Sequence, residues 1–418
     1  MRTDFWRSGH WPTLVSAFLY FDVSFMVWVA LGPLALYIGK SLDLDVATRF
    51  ALVAVPILSG AVLRIPLGLL ADHFGSKRVG QSAQLVVIIA MLLAWLFGFS
   101  APWLAFAFAL SLGVAGASFA VALPQVSRWY PPRYQGVVMG IAGAGNMGVV
   151  LDALFVPTLA EYYGWQSVFA VFLLPLVLVF AIYSWAVKDA PVPKQTMSLT
   201  RYQTMLRDID TWYFMGFYFI SFGGFVGLAS TLPLYFSSWF HLNGVSAGLL
   251  TAVVVLIGSL ARPLGGFLAD AIGGVRALTM LFVAIAIGYL IVSGFAAGPV
   301  SSDGQPFAFA DVPNAAKMAM LTFTLIAFAL GMANGAVFQL VPQRFRHEIG
   351  AITGLVGAGG GLGGYALAQT LGLSAKWTGS YAFGFVLFAF LAALGTVGLT
   401  RVRSRWRTTW GAAVEARI

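Results

Sequence analysis

Apolar residues in this chain fall into twelve blocks of about 20 to 29 residues, and charged residues and prolines collect between them. The blocks are apolar almost all round, so helical periodicity within them carries little information. They are also long and continuous, whereas strands of a membrane barrel would alternate over about ten residues. The pattern predicts membrane helices near 11–38, 50–72, 80–99, 103–129, 135–160 and 165–187, then near 211–239, 245–270, 276–298, 314–342, 348–371 and 380–401. Between the sixth and seventh lies a polar stretch with Pro191, Pro193, four basic residues and a short amphipathic pattern from Ser198 to Ile209. The expected organisation is a six-helix half over 1–187, a connector at 188–210, a second half over 211–401 and a basic tail at 402–418.

Composition supports this reading. Of 418 residues 60% are hydrophobic and 9% charged, and a mean hydropathy of +0.87 lies far from soluble proteins. The net charge of +9 is spread over short loops and forms no patch with interleaved aromatics, which argues against nucleic acid. Apart from Arg64 and Arg262, only Lys40, Arg49, Lys317 and Lys376 fall opposite the side holding all other basic residues. The positive-inside rule then puts both termini of this multi-pass membrane protein in the cytoplasm. No cleavable signal peptide is expected, because the apolar run after Arg7 continues at span length. With no cysteine, no metal-ligand cluster, no phosphate loop and no nucleophile beside a base, neither an enzyme nor a cofactor is expected.

The halves are related. Arg64-Ile65-Pro66-Leu67-Gly68 through Asp72 and Gly75 returns 198 positions later as Arg262-Pro263-Leu264-Gly265-Gly266 through Asp270 and Gly273, followed in each copy by Arg78 or Arg276. Gly113, Pro124, Gln125 and Arg128 return as Gly331, Pro342, Gln343 and Arg346. Gly136, Gly140, Gly143, Ala144 and Gly145 return as Gly350, Gly354, Gly357, Ala358 and Gly359. Parallel halves of six spans joined on the cytoplasmic side resemble major facilitator transporters, whose substrate site lies at the midplane between the halves. Gly68 to Arg78 resembles that superfamily's loop signature, Gly-x-x-x-Asp-x-x-Gly-x-x-Arg. It implies an all-α, twelve-helix fold and a conformational latch formed by Asp72, Arg78, Asp270 and Arg276.

Arg64 and Arg262 carry the substrate argument. Eight residues at 1.5 Å per residue place each about 12 Å in from the Asp72 or Asp270 end, near the middle of a core of about 30 Å. A lone guanidinium there is costly and points to function. One reading pairs each with a buried acid, Asp22 and Asp152 being the candidates within spans. The other holds an anion between the arginines, since a guanidinium fork meets two oxygens of a small planar oxyanion and stays charged. Glycines on spans 5 and 11, six of them among the eight residues from Gly357 to Gly364, allow close helix packing. With Asn146 they also offer exposed backbone to line a narrow site.

Gly140-Ile141-Ala142-Gly143-Ala144-Gly145-Asn146-Met147-Gly148, Gly354-Leu355-Val356-Gly357-Ala358-Gly359-Gly360-Gly361-Leu362-Gly363-Gly364 and the paired arginines resemble the nitrate/nitrite porter family of NarK-type transporters over nearly the whole chain. The resemblance implies that Arg64 and Arg262 bind nitrate, that Asn146 contacts it, and that Phe25, Phe119, Tyr218 and Phe222 wall the site, with Gly143, Gly145, Gly357 and Gly359 in its backbone. Among 35 phenylalanines, Phe25 and Phe119 read equally well as packing.

The resemblance allows nitrate/proton symport or nitrate/nitrite exchange. Asp22, midway along span 1, suits a coupling proton, balance for an arginine, or a structural pair; Asp152 is a second candidate. The expectation is a nitrate transporter, carrying nitrite also, that functions as a monomer in the bilayer with protons as a possible co-substrate. Rivals are a facilitator for another small organic anion, which needs a larger cavity, and a transporter-like sensor, which needs an output domain larger than the 17 residues after Arg401.

Overall fold

The computed structural model describes residues 4–131, 134, 138, 141–142, 147–191, 199–295, 312–345 and 349–413. The described residues form helices and connecting turns. The first half comprises α1 (Asp4–Arg7), α2 (Trp11–Val29), α3 (Leu31–Ser41), α4 (Val46–Phe74), α5 (Ser76–Phe97), α6 (Pro102–Gly116), α7 (Phe119–Ser127), α8 (Gly148–Tyr163) and α9 (Trp165–Ala186). After α10 (Leu199–Arg207), the second half has α11 (Ile209–Trp239), α12 (Gly244–Ile272), α13 (Gly274–Ser293), α14 (Asn314–Arg344), α15 (Ile349–Thr378), α16 (Ala382–Thr408) and α17 (Trp410–Ala413). Among them, eleven spans are long and apolar enough to cross a membrane, with α2–α3 and α6–α7 each forming one broken span. The predicted span at 135–160 is described as helix from Gly148 onward.

The repeat is visible in local geometry. Asp45 caps α4 by accepting from the Thr48 N–H, and Asn243 caps α12 by accepting from the Ser246 N–H. At the other ends Gly75 and Gly273 hold φ of 97° and 95°, a region that glycine enters without a Cβ penalty. This explains the second glycine of the repeated motif. The amphipathic connector segment forms α10, as its pattern predicts.

Span 12 runs past its predicted end at residue 401 to Thr408. The basic stretch is held by α11: Trp406 is fully buried and stacks on Phe214 at 4.8 Å. Its indole N–H donates to Asp210 at 2.7 Å. Asp210, with a side chain 5% exposed, also accepts from Arg344 Nε at 2.9 Å and pairs with Arg405. Arg344 also bonds Asp208 at 2.6 Å. One carboxylate thus ties spans 7, 10 and 12 at the end bearing the repeated motifs.

Glycines bring the halves together toward the opposite, Asp45-bearing end. A Cβ on Gly361 would lie 2.6 Å from that of Ala61, and one on Gly372 would lie 2.7 Å from Phe50 Cβ. Gly32 is as close to the Ser230 carbonyl, and Gly248 closer still to the Ala153 carbonyl. Spans 2 and 11, 1 and 7, and 5 and 8 therefore meet backbone to backbone, a mode open to small residues in apolar surroundings.

Candidate anion-binding site

Arg64 lies on α4, ten residues from its motif end, and is 1% exposed. Its Nε donates to the Gly116 carbonyl at 3.2 Å, and Nη1 donates to the Gly357 carbonyl. Gly116 ends α6, and helix ends leave carbonyls without helical partners. The break in span 4 therefore supplies an acceptor at this depth. Three rings surround the guanidinium carbon: Trp28, Phe119 and Phe222, at 5.3, 5.4 and 5.5 Å from their centroids. Each is within cation–π range. Trp28 is fixed by its indole N–H bond to the Pro56 carbonyl at 2.7 Å. It fits because Gly60 and Gly116 have no side chains: a Cβ on either would lie within 2.8 Å of the indole.

Arg262 on α12 is half-buried. Its Nη2 lies 3.4 Å from the Tyr218 hydroxyl, and its guanidinium carbon lies 5.8 Å from the Phe338 centroid. Tyr218 stacks on Phe222 at 4.9 Å and 5° and meets Phe338 edge-on at 5.1 Å. Phe338 in turn reaches Phe119 at 6.3 Å. One aromatic assembly therefore joins the arginines of the two halves.

Of the residues named from sequence, Arg64, Arg262, Phe119, Tyr218, Phe222 and the Gly357 backbone converge. Phe25 stands one layer out, against Phe222 at 6.2 Å and Trp28 at 5.2 Å. Gly359 faces α11 instead, where a Cβ would lie 2.9 Å from Met215. Asn146, Gly143 and Gly145 lie outside the described residues. Sequence reasoning missed Trp28 and Phe338. Trp28 follows Phe25 at helical spacing, and Phe338 is one residue beyond Val337, the repeat counterpart of Phe119.

The acids do not sit on Arg64, whose two hydrogen bonds go to carbonyls. Asp22 accepts from the Gly148 N–H at 3.0 Å. Asp152 is 1% exposed, and neither of its carboxyl oxygens has a hydrogen-bond partner among the described residues. At the motif end Asp72 pairs with Arg128 on span 4, and Asp270 accepts from Gln339 on span 10 at 3.0 Å. Arg78 and Arg276 are exposed. A cavity of about 340 Å³ lies between Asp45–Ala47, Ser238–His241 and Ala375–Tyr381. It is separated from Arg64 by roughly 27 Å of α4 and holds no part of the arginine cage. No group of acids and histidines able to hold a metal occurs among the described residues.

Comparison with known proteins places this geometry in a family. The profile of the Major Facilitator Superfamily matches residues 14–368. The chain is 32% identical to the "Nitrite extrusion protein" of Bacillus subtilis over 88% of both chains. It is 31% identical to the "Probable nitrate transporter NarT" of Staphylococcus carnosus over 92% of this chain and 94% of that one. A Mycobacterium tuberculosis protein named "Probable nitrate/nitrite transporter NarK2" is 33% identical over 85% of this chain and 87% of its own. In fold this chain is similar to the partially occluded inward-open xylose transporter XylE from E. coli, with a TM-score of 0.70 at 16% identity over 94% of this chain and 98% of that one. The chain is an integral membrane protein, not an enzyme, and belongs to the Major Facilitator Superfamily and, within it, to the nitrate/nitrite porter family of those relatives.

Proposed function

We propose that this protein carries nitrate, and nitrite with it, across the bacterial inner membrane by alternating access, with both termini in the cytoplasm and the monomer as the working unit. The names of the relatives support the substrate. The observation that carries the reading is the pairing of a sealed arginine from one half with a half-buried one from the other across the Tyr218–Phe222 stack. Two forks can grip a flat oxyanion from both sides, and the flanking rings admit little beyond a planar ligand. When the anion enters, Arg64 exchanges bonds to carbonyls for bonds to oxyanion oxygens, and Asn146, Gly143 and Gly145 complete the wall.

The halves rock about this site. They are packed at the Asp45 end, which corresponds to a transporter closed on that side. The repeated motif works as a latch through Asp72 with Arg128 and Asp270 with Gln339, and Arg78 and Arg276 mark the membrane surface. Transport is nitrate/proton symport. Nitrate/nitrite exchange is the second reading, favoured by a cage that, among the described residues, is built of arginines and neutral groups.

Counterflow of labelled nitrate in proteoliposomes, with nitrite, chloride, formate and phosphate as competitors, tests the proposal. Nitrate and nitrite should compete and phosphate should not. Counterflow driven equally well by chloride or by phosphate would refute the planar-anion site.

A further inference from the structure

Two carboxyl groups lie beside, not within, the arginine cage, and both belong to the contact between α2 and α8. Asp22 receives the N–H of Gly148, which opens α8. Asp152 follows one turn later on the face that Gly148 shares, fully buried, with no partner for either oxygen among the described residues.

Among the described residues, the other elements packed on α8 offer no counter-charge at this level. In α9 the titratable side chain is Tyr183, engaged with Gln125 and the Ser76 carbonyl. In α12 the charges are Arg262 and Asp270, roughly 21 Å and 33 Å of helix beyond Gly248. In α3 Tyr37 donates to the Pro157 carbonyl and reaches Glu161, and Lys40 lies further out. On α2 itself the Tyr20 hydroxyl is buried without a hydrogen-bond partner among the described residues. A carboxylate in such surroundings, without a donor or a cation, is far costlier than the neutral acid.

The lid over this turn comes from the other half. A Cβ on Gly248 of α12 would lie 2.3 Å from the Ala153 carbonyl and 2.7 Å from Pro157 Cγ. The backbone of the second half thus rests on the turn that bears Asp152, through one of the contacts that closes the Asp45 end. Parting the halves there must uncover it.

Resting on the symport reading above, we propose that Asp152 is the proton-carrying group of the cycle, loaded when α12 lifts from α8 and sealed when the halves close, with Asp22 as its exit. In the transfer the O–H bond of the Asp152 carboxyl breaks and one forms on the Asp22 carboxylate. The pair keeps one proton and one negative charge until Asp22, which is half-buried, releases the proton to water. The Gly148 N–H steadies Asp22 while it is ionised and loses much of its hold on protonation. Proton release is thereby linked to the glycine-rich part of span 5.

The test uses the full chain in proteoliposomes, with nitrate counterflow at equal pH and nitrate uptake under an inward acid gradient, read with an internal pH dye. A gradient of one pH unit supports about tenfold accumulation per proton. Wild type should show both activities. Asp152→Asn should keep counterflow within about twofold but lose that accumulation and the nitrate-dependent acidification; Asp152→Glu should restore both. Loss of the protonated-carboxyl C=O infrared band in Asp152→Asn, but not in Asp45→Asn, should accompany this and does not depend on transport. Wild-type accumulation and acidification in Asp152→Asn, or loss of counterflow with them, would overturn the assignment. Counterflow without gradient-driven uptake in wild type would overturn it together with symport. Absence of nitrate counterflow in wild type would sink the substrate reading, and the infrared band would still decide whether Asp152 holds a proton.

Discussion

Adding one methyl group at Gly360 should disable the site without touching either arginine. A Cβ built there lies 2.6 Å from Tyr218 Cδ1 and 2.8 Å from Phe222 Cδ1, whereas carbon atoms in contact sit about 3.5–4.0 Å apart. Each ring must therefore retreat by close to 1 Å. They are stacked on each other at 4.9 Å, so they must move together. Tyr218 is already 3.4 Å from Arg262 Nη2, at the outer limit of a hydrogen bond, and a shift of that size breaks it. Overpacking of this kind costs about 1–3 kcal/mol, a loss of about 5- to 150-fold in nitrate affinity if it falls on the bound state. Gly354→Ala is the control: it lies on the same helix, and nothing stands within 4 Å of its Cβ. Isothermal titration of nitrate in detergent, with melting curves for both variants, is the assay. Gly360→Ala binding nitrate within about twofold of wild type, at an unchanged melting temperature, would show that the Tyr218–Phe222 pair does not set the site.

Other consequences follow from the same geometry. Asp210→Asn should destabilise by about 1–3 kcal/mol, seen as a lower melting temperature, because Arg344, Arg405 and Trp406 lose a buried common acceptor; Asp208→Asn, at a side chain 28% exposed, should do less. Arg128→Gln should lower the melting temperature, while Arg78→Gln should stay within about 0.5 kcal/mol of wild type, since Asp72 pairs with Arg128; equal effects would contradict that assignment. His10 accepts from the Thr13 N–H at the start of α2, and burial, then Lys188, lowers its pKa below the ordinary value. Its contribution is complete above the unfolded-state value and declines as pH falls below about 6.5, so a His10→Asn variant should lose less thermal stability between about pH 7 and 5 than wild type does.

Much of this architecture was legible in the chain because the governing pattern is coarse. Long apolar blocks and a repeat at fixed offset need no side-chain detail, and the fold shown by the structure and its relatives follows them. Arg64 and Arg262 stood out because a charge inside an apolar block has few explanations. What the sequence concealed is what the arginines touch. The Gly116 and Gly357 carbonyls are backbone acceptors, which every residue has, and only the break after α6 makes the first available. Phe338 was hidden among many phenylalanines, one residue off the repeat. The motif names Asp72 and Arg78 as latch residues without naming their partners, and the structure shows Asp72 paired with Arg128 of span 4. Gly359 sits among glycines of one kind, and only the rotation of α15 turns it toward Met215. Likewise the arginine-rich end of span 12 reads as a tail until Trp406 is seen buried on Phe214.

The central claim is that one anion is held by guanidinium forks from both halves, and nitrate titration of Arg64→Lys and Arg262→Lys tests it most directly. A lysine keeps the charge and loses the fork. One charge-assisted hydrogen bond is worth about 1.5–3 kcal/mol, so each variant should bind nitrate about 10- to 150-fold more weakly than wild type at an unchanged stoichiometry. Nitrate affinity within about twofold of wild type in either variant would contradict the two-arginine clamp.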